Sequence, residues 1–437
     1  DPAGAALLKA NAGVTSVGYQ LTGKGFILDN QQRSLLKTEY SGNIIRPLLS
    51  GRDINQATRN LQAIDLFGLS LEDIKDNYAD IYQWVLERLL PERKNNTDHS
   101  SNTGWWLYAR TRADFRPFLN NIKSLYVTSL TAKHRFFTAV PSDTICDSTT
   151  VMFAFSSPFF IGVLSSRIHI CWAILAGGRL GVGNDSRYNK ARCFESFPFP
   201  DLNCQQKNSI SSLAAKIDAH RKKQQEQHPK LILTNVYNVL EKLRKEEALN
   251  EKEQLINQQG LVSILRELHD ELDREVFAAY GWQDLAEVLV GKPGATTQLT
   301  DKNDEQAQAE EELLSRLVAL NHERVSEEKD GKIRWLRPDY QNPDANTDEK
   351  SEQADLALTE NSSIVEKATV AKAVKLTWPK VLSEQVSAVV ELLENTSTLE
   401  EVAASFKRKP LKQVQSVLEA LEALGRAQLE DDKWKLT

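Results

Sequence analysis

Apolar positions change their period along this 437-residue chain, and the changes divide it. Up to residue 60, short apolar runs alternate with turn residues. In "GYQLTGKGFIL" (18–28), Gly23 and Gly25 punctuate two runs as in a hairpin, and "NIIRPLLSGRDIN" (43–55) is broken by Pro47 and Gly51. In "LEDIKDNYADIYQWVLERLL" (71–90) the apolar positions 74, 78, 81, 82, 85 and 89 recur at helical spacing. A polar loop over 92–104 follows. "SLYVTSL", "HRFFTAVP" and "TTVMFAF", between 124 and 155, are rich in β-branched and aromatic residues and read as strands. "FFIGVLSSRIHICWAILAGG" (159–178) then predicts a helix with Ile161, Leu164, Ile168, Cys171, Trp172 and Leu175 inward and Gly177 as its C-cap.

Beyond Pro200 the pattern becomes helical. Residues 209–290 are almost free of Gly and Pro, and stripes at 210/213/217, 232/236/239/240/243 and 261/264/265/268/272/276 predict long amphipathic helices. Another helix fits 309–325. Pro-, Asn-, Asp- and Ser-rich composition marks 331–378 as a linker. The tail carries three stripes: Val386/Val389/Val390/Leu393, Leu399/Val402/Ala403/Phe406 and Leu411/Val414/Val417/Leu418/Leu421. A short hairpin turning at Asp431-Asp432 follows, and three helices with a hairpin are the pattern of a winged helix. The expected organisation is α+β: a mixed α/β domain over 1–204, a helical region over 205–330, the linker, and a winged-helix-like domain over 379–437.

Charge sharpens this picture. The chain carries −6 overall, yet residues 101–200 hold 11 Lys/Arg against 5 Asp/Glu, a local +6 that leaves −12 for the remainder. A basic middle in an acidic chain is the electrostatic footprint of a polyanionic partner. Cys146, Cys171, Cys193 and Cys204 form no CxxC pair, which fits a reducing, cytoplasmic setting. The most apolar stretch, 151–175, is interrupted by Ser156-Ser157-Pro158 and Ser165-Ser166-Arg167, so no membrane span is expected. The chain begins at Asp1 and its single methionine is Met152, so a piece of a longer polypeptide is expected.

Candidate chemistry is sparse. HExxH, GxSxG and GxxxxGK[ST] are absent, and the seven histidines are dispersed. The glycines of "GGRLGVGNDSRYNKARCFESFPFPDL" (177–202) are spaced like a phosphate cradle, but they follow a predicted helix where a dinucleotide fingerprint follows a strand. Pro338-Asp339 with Asp348-Glu349-Lys350 fits a loose Mg²⁺-nuclease pattern, yet lies in the linker, where nothing rigid aims the carboxylates. An Asn/Asp-Pro-Pro-aromatic loop, which would hold an extruded base beside a methyl donor, is also absent. No metal ligands are expected.

Several strings taken in order resemble a known family. "LKANAGVTSVGYQLTGKGFIL", "NIIRPLLSGRDIN", "FFIGVLSSRIHICWAILAGGRLGVGNDSRYNKARCFESFPFPDL", "LHDELDREVFAAYGW" and "GKIRWLRPDYQNP" are similar to the carboxy-terminal half of large bacterial adenine-specific DNA methyltransferases. Those enzymes belong to single-chain restriction–modification and related phage-defence systems. The resemblance implies a target-recognition domain with helical supports, in an intact protein that methylates adenine N6. S-adenosylmethionine and the catalytic motif would be held upstream, and neither is expected on this chain.

Within that resemblance, 177–202 reads as a recognition loop for double-stranded DNA. Arg179, Arg187, Arg192 and Lys190 suit guanine edges or phosphates, Asn189 suits adenine, and Tyr188 accompanies them. "FESFPFP" is expected to fix the loop's exit by aromatic packing. Arg110, Arg112, Lys133 and Arg135 are expected at phosphates. Arg46 and Arg52 are expected either at DNA or, with Asp53, in an internal ion pair. A non-enzymatic protein-docking scaffold, working through 205–437, is the alternative.

Overall fold

A computed structural model describes residues 2–343 apart from 41, 95–103, 156, 179–184, 295 and 299–300. In the tail it describes 385, 388–389, 393, 398–404, 406–407, 411–423, 427–430 and 433–436. The chain forms two compact units, 1–352 and 353–437.

The first unit is built on two four-stranded sheets. One has the order β1 (Thr15–Val17), β9 (Thr150–Phe153), β5 (Ser124–Ser129), β7 (Thr138–Pro141), all antiparallel. The other has the order β2 (Ile27–Leu28), β4 (Gln62–Ile64), β3 (Ile45–Leu49), β8 (Ile145–Cys146), with β3 and β8 parallel. A further pair joins β6 (Thr131–Ala132) to β10 (Ser186–Arg187). The runs around Gly23 and Gly25 do not form the expected hairpin: β1 pairs with β9 and β2 with β4, both far away in sequence.

Short helices fill the connections: α1 (Gly51–Asn55), α2 (Leu71–Asn77) and α3 (Ala79–Arg88). The stripe at 71–90 is therefore two helices, parted at Tyr78, where the backbone leaves the helical region. The apolar run after β9 also divides, into α4 (Pro158–Ser165) and α5 (Arg167–Gly177), bent by 68°. Ser166 is extended and its hydroxyl returns to the Val163 carbonyl, which ends α4. Among the described residues no single helix is long and apolar enough to cross a membrane.

Gly178, with φ +73°, caps α5, one residue beyond the expected position. Gly177 serves a different purpose: a Cβ there would lie 2.2 Å from the Arg187 carbonyl oxygen and 2.8 Å from Cys193 Sγ. Gly177→Ala is therefore expected to destabilise the protein by about 2 kcal/mol or more, read from chemical denaturation. Unchanged stability would show that α5 and β10 need not approach so closely.

The helical stripes form α6 (Cys204–Gln227), α7 (Leu233–Arg244), α8 (Glu251–Gly260), α9 (Val262–Tyr280), α10 (Gln283–Leu289) and α11 (Asp304–Lys329). They share one hydrophobic core with the sheets, running in sequence from Val14 to Leu317. "FESFPFP" packs as expected: Phe194 lies 5.5 Å from Phe153, and Phe197 lies 4.8 Å from His169. In the second unit, α12 (Leu399–Ala404), α13 (Leu411–Ala423) and the hairpin β11 (Ala427–Glu430)–β12 (Lys433–Leu436) surround Val402, Phe406, Val414, Leu418 and Trp434. The turn at Asp431-Asp432 lies outside the described residues.

Candidate nucleic-acid interface

Three segments distant in sequence meet at a depression of about 410 Å³. Ser50, Gly51, Arg52, Asn55 and Arg59 come from α1 and its flanks, Ser129–Thr131 from the β5–β6 step, and Asp147 and Thr149 from the turn after β8. Local chemistry fixes each wall. Ser50 N-caps α1 in a capping box with Asp53. The buried Asp53 carboxylate also takes both Arg59 Nε and Nη2 at 2.9 Å. Burial pushes the Asp53 carboxyl up, but the hydrogen bonds from Arg59 and Ser50 outweigh it and hold it at about 2.

The depression offers acceptors as well as cations. Asn55 Nδ2 donates to Ser129 Oγ at 3.1 Å and to the Thr131 carbonyl at 3.4 Å. Its Oδ1 is buried and has no hydrogen-bond partner in the structure. Asp147 spends Oδ1 on the Thr149 amide and hydroxyl. Burial holds the Asp147 carboxyl above its ordinary range despite those bonds. The Arg52 guanidinium and the Asp147 carboxylate, both lining the depression, suit a phosphate beside an exocyclic amino group of cytosine or adenine.

Gly178 and β10 adjoin this depression through Leu130 and Thr131. Arg187 of β10 is paired with Thr131, its amide donates to the Gly178 carbonyl at 3.2 Å, and the Tyr188 amide donates to the Leu130 carbonyl at 2.8 Å. Arg135 ties the root together. Its guanidinium donates to the Ser129 carbonyl and, at 2.9 Å, to the Ser186 carbonyl, and it lies 5.2 Å from the Tyr188 ring.

This geometry sorts the expected contacts. Arg187, Arg192, Arg110 and Arg52 are exposed, and none has an ion pair among the described residues. Lys133 is exposed, with its ammonium on Asn238. Arg179 lies outside the described residues. Two expected DNA contacts are core residues instead. Tyr188 is 1% exposed, with its hydroxyl 3.1 Å from His169 Nε2, and Arg135 is 5% exposed with its fork consumed by backbone. Asn189 is exposed, but its Oδ1 caps the π-turn Lys190–Glu195 by accepting from the Ala191 and Arg192 amides, so it lacks the free carbonyl that bidentate adenine reading needs. Lys190 is paired with Glu195, and Arg112 donates to the Gly18 carbonyl. Arg46 joins Arg116 on buried Asp65, and the partner of Asp53 is Arg59, not Arg46 or Arg52. Asn55, Arg59 and Asp147 were not expected at the site. The one hint in sequence was the capping serine followed by Asp53 and Asn55 in "SGRDIN".

Of the linker pattern, Pro338 and Asp339 begin a short helix and Asp348–Lys350 lie outside the described residues; among the described residues no group of three or more metal-ligating side chains occurs.

A stretch of 137 residues, 30% of this chain, is 27% identical to DNA methyltransferase A of Bacillus subtilis (strain 168). The chain spans 15% of that protein's length. A solved structure of the Type IIL restriction-modification enzyme MmeI in complex with DNA aligns over 73% of this chain and 36% of its own, at a TM-score of 0.48 and 18% identity. Residues 11–201, which hold every wall of the depression and the root of the loop, match the family described as MmeI, target recognition domain.

Proposed function

We propose that this unit reads sequence in duplex DNA for a site-specific adenine-N6 methyltransferase. The depression carries the reading: Asp147 and Arg52 line it, and Arg187 of β10 lies beside it through Thr131. Asp147 would discriminate bases, Arg187 would share in that reading, and Arg52, Arg110 and Arg192 would hold phosphates. Methylation and S-adenosylmethionine belong to another part of the intact protein. The residues here do not fit that cofactor, since Gly177 and Gly178 close a helix rather than opening one after a strand. No chemical step is assigned to this chain.

Selection of duplexes from a random pool by the full chain tests the reading. Asp147→Ala and Arg187→Ala are expected to broaden the selected sequence, while Arg52→Ala and Arg110→Ala weaken all duplexes alike and flatten the salt dependence by about one unit of log–log slope each. Failure to retain any duplex at about 50 mM salt, where phosphate contacts are strong, would overturn the proposal.

Protein docking by the helical region is a second reading. It is favoured by Leu255, Leu261 and Ile264, which are 43–52% exposed where α8 meets α9.

A further inference from the structure

The helical region reaches the depression through α7. Thr234 Oγ1 donates to the Asn55 carbonyl at 3.2 Å. Asn238, four residues on and so on the same helical face, accepts Lys133 Nζ at 2.8 Å on its Oδ1. The same oxygen lies 2.8 Å from His134 Nε2. Val236, Val239 and Leu240 are buried in the core and fix the helix's rotation. Lys133 itself directly follows β6, whose Thr131 lines the depression.

The chemistry of this contact differs from the other lysine contacts around it. Lys190 meets Glu195, Lys222 meets Asp218 and Lys242 meets Glu253, so each ammonium is neutralised by a carboxylate. Asn238 offers a neutral oxygen. It holds the Lys133 side chain in one place and leaves its charge intact. A lysine fixed before binding has already lost side-chain entropy that a mobile one loses on meeting its partner.

We propose that Asn238 is a positioning residue for nucleic acid: it fixes the Lys133 ammonium at the rim as a preformed phosphate contact, which makes α7 a wall of the interface. The inference rests on the DNA-reading function proposed above.

Titration of the full chain with a 30-base-pair duplex between 50 and 200 mM NaCl tests it. Lys133→Ala is expected to lower affinity several-fold and to reduce the log–log salt slope by about one. Asn238→Ala should produce a comparable loss, and the double variant should bind no more weakly than Lys133→Ala alone. Asn238→Asp keeps the acceptor for both Lys133 and His134 but neutralises the ammonium. It should lose affinity and slope without lowering the melting temperature, a combination that a purely structural role would not give. Parent-like binding by Lys133→Ala, or by both Asn238 variants, would overturn the inference while leaving DNA reading intact. Losses at 133 and 238 that simply add would overturn it too. A parent chain that binds no duplex would remove the DNA reading and this inference together.

Discussion

Arg135→Ala is expected to be among the most damaging single substitutions in the first unit, costing about 3 kcal/mol or more. Its guanidinium is buried and bonded to the Ser129 and Ser186 carbonyls and to Ser186 Oγ. Burial pushes it down to about 10, still far above neutrality, so the group remains charged. Truncation would leave a void against Tyr188 and strip buried carbonyls on both sides of the β6–β10 pair. Because that pair carries the root of the loop, loss of sequence discrimination should accompany loss of stability. Arg187→Ala, adjacent to Ser186 but exposed, should change stability by no more than about 0.5 kcal/mol. Denaturant titration of both variants, beside duplex selection, checks the contrast. An Arg135→Ala protein as stable as its parent would mean that the loop root is held by something else. Arg135→Lys should fail nearly as badly, because a single ammonium cannot span the two carbonyls.

Acidification gives the second large effect. Burial pushes His169 down to about 4, against the Leu164 carbonyl 2.8 Å from Nδ1 and the Cys193 carbonyl 3.2 Å from Nε2, which would favour the charged ring; in the neutral ring Nδ1–H donates to Leu164 and Nε2 faces the Tyr188 hydroxyl. His269 is lowered well below its ordinary value, first by burial and then by Arg244 and Arg221. Both imidazoles stay neutral in the folded protein at a pH where the unfolded chain binds a proton on each. Between about pH 6.5 and 4 the unfolded state therefore binds more protons, and stability falls as pH falls. From pH 7 to 5 His169 contributes a loss of about 2 kcal/mol, and His269 acts in the same direction. Asp147 and Asp273, held above the usual carboxylate range by burial, take up protons in the folded state and oppose the trend from the lower end of the window. Comparison of parent and His169→Gln at pH 7 and 5 isolates one term: the pH-dependent difference in unfolding free energy should shrink by about 2 kcal/mol in the variant. An equal difference in both proteins would mean that His169 titrates normally.

The residues legible from sequence were those whose role depends on near neighbours. Helices α6, α7, α9 and α11 follow from stripes of apolar residues without glycine or proline, and the aromatic packing of Phe194, Phe197 and Phe199 follows from their density around Pro198 and Pro200. What escaped was set by distant partners. Arg135 and Tyr188 look like surface cation and recognition aromatic in a basic stretch, but residues 51 to 58 positions away, at the β5–β6 step and β10, turn them inward. Asp147, Asn55 and Arg59 carry no local motif, and their convergence arises from the parallel pairing of β3 with β8, which brings residues 48 and 145 side by side. The helix over 159–178 divides at Ser166 because a hydroxyl competes with the backbone for the Val163 carbonyl, a choice that apolar periodicity does not report.

The closure of Arg187 onto Gly178 and of Tyr188 onto Leu130 has a consequence for amide hydrogen exchange. Both donors sit over the buried cluster of Arg135, Tyr188 and His169, so neither can meet solvent by a local fluctuation of a side chain. Their exchange with deuterium should track the opening of the β6–β10 pair as a whole.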